Sequence, residues 1–196
     1  MKKLIFLFTV LLNISASAQN LSSLNDVSDT DTLSSGKAII YGNFIQRLGF
    51  SSGGFPQDIR IINIDTKEIF AFRVKPAFKS AKENQFIYFI KPGRYAIVNY
   101  WWTQSKVYGG AIHTEPIFKG VDATDNLEDK IKTGQIKVNE LTQFTFHVSE
   151  NSLNYLGSWH FDKGLVSFTD NKEQCDKKLN KLKKLDFAKA KTELPN

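Results

Sequence analysis

The sequence predicts a mainly β protein, an antiparallel β-sandwich of seven to eight strands with a C-terminal amphipathic α-helix. Three observations lead there. Short runs rich in Ile, Val, Phe and Tyr recur between residues 37 and 170, and several alternate apolar with polar residues, the period of a half-buried strand. Clusters of Gly, Pro, Asn, Asp and Ser punctuate those runs. After Asp170 the spacing of leucines changes to that of a helix.

The first strand signal is KAIIYGNFIQ (37–46), where Gly42 marks a candidate bulge. RLGFSSGGFPQ (47–57) reads as a connecting loop. QDIRIINID (57–65) and EIFAFRVK (68–75) both alternate, and the short turn Asp65-Thr66-Lys67 makes them a hairpin candidate. PAFKSAKEN (76–84) reads as a loop or one helical turn. QFIYFIK (85–91) is apolar on both faces, so it is expected to be covered on both sides. Lys91-Pro92-Gly93-Arg94 suits a type II turn, with Pro fixing φ and Gly supplying positive φ. GRYAIVNYWW (93–102) follows as a strand, with Tyr95, Ile97, Asn99 and Trp101 on one face and Ala96, Val98, Tyr100 and Trp102 on the other.

The segment 103–142 reads as a long irregular connection, with IHTEPIF (112–118) and GQIKV (134–138) as small strands inside it. QFTFHVS (143–149) alternates cleanly, with Phe144, Phe146 and Val148 inward and Thr145, His147 and Ser149 outward. The turn 150–152 leads into LNYLGSWHF (153–161), a hairpin that would set His147 opposite Tyr155. LVSFT (165–169) completes the strands. DNKEQCDKKLNKLKKLDFAKA then carries Leu179, Leu182, Leu185 and Phe187 among lysines, with Asp170 and Glu173 at capping-box spacing. This predicts a helix of about 15 residues.

FIKPGRYAI (89–97) resembles the step x-P-G-x-Y-x-aliphatic of transthyretin-like (prealbumin-like) sandwiches, a group that includes carboxypeptidase regulatory-like domains. FTFHVSENSLNYLGSW (144–159) is similar to a strand, turn and Tyr-aliphatic-Gly pattern in bacterial secreted proteins and lipoproteins of that fold. The resemblance implies a seven- or eight-stranded sandwich without catalytic machinery. Fold alone carries no activity.

The chain opens MKKLIFLFTVLLNISASAQN. A positive start, a short apolar run and Ala16-Ser17-Ala18 predict a bacterial secretory signal peptide over 1–18, cleaved before Gln19. The expected location is the periplasm or the cell exterior. The Ser/Asp-rich stretch 19–36 reads as a flexible leader, 37–170 as the sandwich domain, and 171–196 as a basic helix and tail. No other apolar stretch is long enough to span a bilayer. The net charge of +6 comes from the signal lysines and from 171–196. The body is balanced, which argues against a nucleic-acid partner. Cys175 is the one cysteine, so packing rather than an internal disulfide must hold the fold.

No catalytic motif stands out: there is no G-x-S-x-G elbow, S-x-x-K or phosphate loop. The histidines 113, 147 and 160 lack zinc-ligand spacing. Asp26, Asp29 and Asp31 lack the glycine turn and terminal Glu of a calcium loop. Asp122, Asp125, Asn126, Glu128 and Asp129 are the best remaining ion candidate, but Lys130 and Lys132 balance them and a solvated loop or helix start is the favoured reading. No catalytic residue, metal or cofactor is therefore assigned. Tyr100, Trp101 and Trp102 are consecutive, so their rings cannot all enter one core. With Tyr108 and His113 they form a candidate aromatic platform for a glycan or peptide. The expected function is an exported, non-catalytic binding or accessory module of the bacterial envelope. The alternatives are ligand binding through that platform, or a hydrolase site built from the 103–142 loop with Glu115, Asp122 or His113.

Overall fold

The computed structural model describes residues 21–45, 57–75, 83–106, 109–116, 126–162 and 166–196. The stretch 1–18 expected to be a signal peptide, most of the 47–57 loop, Tyr108, Asp122 and Asp125 lie outside the described residues. In chain order the strands are β1 (Ser22–Ser23), β2 (Asn25–Asp26), β3 (Ala38–Ile45), β4 (Gln57–Asn63), β5 (Ile69–Val74), β6 (Glu83–Ile90), β7 (Gly93–Lys106), β8 (Gly109–Pro116), β9 (Thr145–Val148), β10 (Leu153–His160), β11 (Ser167–Thr169) and β12 (Lys191–Thr192). Helix α1 is Leu127–Lys132 and helix α2 is Lys172–Leu179. One sheet runs β1-β5-β4-β7-β8, with β9 also on β7; the other runs β11-β10-β3-β6-β2, with β12 also on β10.

The protein is mainly β, but the sheets are mixed rather than antiparallel. β3 and β10 run parallel, as do β1 and β5, and β10 and β12. The cause is legible at the turn before β10. Asn151, at φ 51, donates its N–H to the Lys37 carbonyl and accepts the Gly36 N–H on Oδ1 at 3.1 Å. That pins the turn to the start of β3 and sends β10 along β3 in the same direction. β9 and β10 therefore do not form the expected hairpin: β9 pairs with β7 in one sheet and β10 with β3 in the other, so His147 is not opposite Tyr155. The mixed sheets also correct the transthyretin-like expectation and its count of seven or eight strands.

The two sheets face each other across an aromatic core. Phe72 of β5 meets Phe86 of β6 at 5.2 Å and Trp159 of β10 at 5.8 Å between ring centroids. Tyr88 of β6 donates its hydroxyl to the Arg73 carbonyl of β5, a hydrogen bond from sheet to sheet. The alternation of β4 and β5 follows from this burial: Ile59, Ile61, Phe70 and Phe72 face inward, and the two strands pair as the expected hairpin. β6 buries both faces, as its composition requires. Phe86, Tyr88 and Ile90 enter the central core, while Ile87 and Phe89 pack against a second cluster on the outer side.

That second cluster explains why the predicted C-terminal helix stops after eight residues. Cys175, Leu179, Leu182, Leu185 and Phe187 all reach Ile39, Tyr41, Leu153 and Tyr155 on the outer face of the second sheet. A continuous helix turns about 100° per residue, so Leu185 and Phe187 would point to nearly opposite sides. Breaking at Asn180 lets both reach the sheet. The Asp170 carboxylate accepts the Lys172 N–H at 3.0 Å, and Glu173 pairs with Lys177 at 2.6 Å, so the capping box does not form.

β6 and β7 belong to different sheets, so Pro92-Gly93 is an arch between layers and not a hairpin turn. Tyr95 locks it: its ring is fully buried and its hydroxyl donates to the Lys91 carbonyl at 2.8 Å, four residues back. This is the tyrosine-corner geometry of two-layer β proteins. Gly93 has φ 149, and a Cβ there would lie 2.7 Å from Asn63 Nδ2, so only glycine fits. The bulge expected at Gly42 lies instead in β10, where the register with β3 shifts between Tyr155 and Ser158 around Gly157, at φ 91.

Both chain ends of the described fold cross between the sheets. Ser22–Ser23 pairs with β5 and Asn25–Asp26 with β6, so the stretch read as a leader joins the two layers at one side. At the other side Lys191–Thr192 lies on β10, and Asn196 exchanges backbone hydrogen bonds of 2.9 and 3.2 Å with Thr145 of β9. Within 126–142, α1 and a 3-10 turn replace the expected irregular loop. Leu127, Ile136, Val138 and Leu141 are buried with the central core, and GQIKV is not a strand.

Candidate ligand-binding site

Of the expected aromatic platform, the structure places the rings of Tyr100 and Trp101 on opposite faces of the sheet. A bulge lies in β7: Arg60 of β4 pairs with Asn99, but its neighbour Ile61 pairs with Ile97, leaving Val98 as the extra residue. The alternation therefore slips by one residue. Tyr100 joins Tyr95 and Ile97 in the core, edge-on to Phe161 at 4.5 Å. Trp101 is half-buried on the opposite face of the sheet, with the Arg60 guanidinium 3.7 Å above its ring. That face of the indole is occupied by a cation, so Trp101 is not a bare stacking surface. Trp102 of β7 is directly opposite His113 of β8 in the strand register. The structure thus brings Trp102 and His113 together along the ribbon and separates Tyr100 from Trp101.

A cleft of about 510 Å³ lies at the other end of β7, a volume in the range of small-ligand sites. Ile64, Leu141, Phe146 and Leu194 supply its apolar lining, and Arg94, His147, Glu193 and Asn139 supply polar groups. Its position follows from the strands. Arg94 of β7 and His147 of β9 are opposite each other. Arg94 also grips Asp65 of the β4–β5 turn at 2.7 Å, which holds the Asp65 carboxyl below the ordinary carboxylate range. Phe146 is fixed beneath them by stacking on Tyr95 at 5.6 Å. Across the cleft, Glu193 is held by its N–H donating to the Tyr155 carbonyl at 2.9 Å.

The backbone of β9 gives the cleft directional groups. Both the N–H and the C=O of Thr145 bond Asn196 at the outer edge of β9. Alternate residues of an antiparallel strand point their backbone groups to the same edge. The N–H and C=O of His147 therefore open on the same side. There the tail has turned away, with Leu194 packed where a Cβ on Gly157 would be only 2.6 Å from its Cδ2. The cleft offers one donor and one acceptor in strand geometry, flanked by the Arg94 guanidinium on one wall and the Glu193 carboxylate on the other. Neither this edge nor the tail that frames it is signalled by any motif.

A second polar constellation that sequence reading missed is His160, whose Nε2 lies 2.9 Å from Thr169 Oγ1 and whose Nδ1 lies 3.7 Å from Asp162 Oδ1. It has the order of a hydroxyl–imidazole–carboxylate relay. The His–Asp distance is beyond hydrogen-bond reach, and the Thr169 hydroxyl also meets the Asn171 side-chain amide at 3.3 Å. It ties β10 to β11 and the start of α2. Among the described residues no group of three His, Cys, Asp or Glu side chains could hold a metal ion. Cys175 is fully buried, and burial pushes its thiol up to about 12, so it is inert toward catalysis. No helix among the described residues is long and apolar enough to cross a membrane.

The fold and cleft define a two-sheet β protein with mixed strand order. No protein-family model matches the chain, which leaves the transthyretin-like resemblance without a family behind it. No curated protein matches it either. Among solved structures the chain is similar to a leucine-rich repeat protein from Bacteroides thetaiotaomicron, at 12% identity and a TM-score of 0.35, over 76% of this chain and 16% of that one. The chain thus spans about a sixth of that protein's length.

Proposed function

We propose that this protein is a non-catalytic binding module, exported to the bacterial envelope, that holds a short peptide segment in the Arg94–His147–Glu193 cleft. The observation that carries the reading is the outward-facing backbone edge of His147 inside that cleft. A peptide supplies the matching donor and acceptor, as in strand-addition recognition. Arg94 and Glu193 favour a segment with charges of both signs. The rigid neighbours Tyr95 and Phe146 reduce the ordering cost of binding. A glycan seat on the β7–β8 ribbon is the second reading, favoured by the strand register that sets Trp102 opposite His113.

A peptide and glycan array probed with residues 19–196 tests both. Peptide retention should fall about tenfold, the worth of about 1.4 kcal/mol, in Glu193→Ala and in His147→Pro, while Trp102→Ala leaves it unchanged. Glycan retention lost in Trp102→Ala alone would move the site to the ribbon. Retention of neither class overturns the binding reading.

A further inference from the structure

The sandwich treats its edges unequally. The β5 edge is covered by two residues of β1, and the β6 edge by two residues of β2. The β10 edge is shared by three residues of β11 and two of β12. β9, four residues long, is met at Thr145 by Asn196. Short or covered outer strands are the usual protection against unwanted pairing. β8 differs. It is eight residues long, and among the described residues it pairs on one side only, with β7.

Its sequence, GGAIHTEP, carries little of the usual protection, with one charged residue, Glu115, near its end. It has no Lys or Arg, and its proline is the last residue. Gly109 and Gly110 open it without side chains, which permits close approach of another backbone. The β7–β8 ribbon also outruns the sheet. β4 pairs with β7 no further than Trp101, so Trp102–Lys106 have only β8 beside them among the described residues. A lone two-stranded ribbon is marginally stable in water.

From this edge we infer that β8 is a dimer interface, and that it pairs antiparallel with β8 of a second copy of this chain. The strand is self-complementary about a twofold axis through Ile112, since two copies of one edge can oppose only residues of equal parity. That register sets Gly109 against Glu115, Gly110 against Thr114, Ala111 against His113 and Ile112 against its own counterpart. The one acidic residue falls opposite a glycine, so no like charges oppose each other. The pairing is isologous and closed. The joined sheet would end at each side in β1, two residues long, leaving no long outer strand for further growth. The proline at the end of β8 limits the pairing to that length.

The test is the mass of residues 19–196 in solution, by light scattering after size exclusion over a wide concentration range. The expected result is a doubling from one chain to two as concentration rises. Adjacent residues present their N–H groups to opposite edges of a strand, so Ala111→Pro and Ile112→Pro are made separately. One of the two should lose the dimer while keeping the near-ultraviolet circular dichroism of the parent. Amide hydrogen exchange of the unaltered chain gives an independent reading. Consecutive β8 amides are all slow in the dimer, whereas alternate ones are fast in a monomer. A chain that stays monomeric throughout, a dimer that survives both proline variants, or an alternating fast pattern at the highest concentration overturns the inference.

Discussion

Replacing Tyr95 by Phe removes a single oxygen from the arch between the sheets. The ring keeps its place against Phe70 and Phe146, at 6.1 and 5.6 Å, so no cavity forms. What is lost is the 2.8 Å hydrogen bond to the Lys91 carbonyl. A net hydrogen bond contributes about 0.5–1.5 kcal/mol, and a carbonyl left without its partner costs about 1–3 kcal/mol. The expected loss is therefore about 1–3 kcal/mol. For a domain of this size that lowers the melting temperature by about 2–4 °C per kcal/mol. Urea unfolding should show a lower midpoint at unchanged m-value. Tyr95→Ala, which also empties the site, should cost about 3–5 kcal/mol by analogy with other aromatic truncations. A Tyr95→Phe loss below about 0.5 kcal/mol would refute the assignment of the hydroxyl as the lock of the arch.

Three further outcomes follow from the geometry. Gly157→Ala should destabilise the protein by about 1–3 kcal/mol, because its φ is 91 and the new Cβ meets Leu194 Cδ2 at 2.6 Å; adding Leu194→Ala should recover part of that loss in a double-mutant cycle. Burial first of all pushes the phenols of Tyr88 and Tyr95 up to about 12. The unfolded chain gives up these protons near pH 10 while the folded one keeps them, so this stability is full below pH 10 and is lost as pH rises toward 12, by roughly 2 kcal/mol per phenol; alkaline denaturation of the Tyr88→Phe and Tyr95→Phe variants should show a shallower decline. Cys175 should resist a thiol reagent in the native protein and react fully in denaturant, since its side chain has no exposure; rapid native labelling would contradict the packing of α2 on β3 and β10.

Much of the strand layout was legible because burial imposes a period of two. The alternation in 57–65 and 68–75 gave the β4–β5 hairpin directly, and the doubly apolar 85–91 foretold a strand covered on both faces. Phe146 and Val148 face inward as the pattern requires. Phe144 is half-buried at φ 54, just before β9, and packs on Phe168 at 5.4 Å. Partnership between strands was not legible. A short polar turn such as 150–152 looks like a hairpin whether the next strand returns beside the last or crosses to the other layer. Asn151 decides the matter by bonds to residues 36 and 37, far away in sequence. The β7 bulge at Val98 was likewise hidden, since one extra residue in an apolar run leaves no compositional mark. It moved Tyr100 into the core and Trp101 beneath Arg60. The candidate cleft was the least legible part. Its groups come from β7, β9 and the tail, and one of its directional features is main chain, which a sequence does not display.

The parallel pairing of β3 with β10 reaches further than architecture. Ile39 lies beside Leu153, more than a hundred residues later in the chain. Until that partner arrives, β3 has only β6 to lean on, and the centre of its sheet is half-built. Long-range closure of this kind is slow, on the order of milliseconds to seconds in all-β domains. A nascent chain must therefore spend its early life with an incomplete middle layer, with the edge of β3 opposite β6 exposed where β10 will later lie.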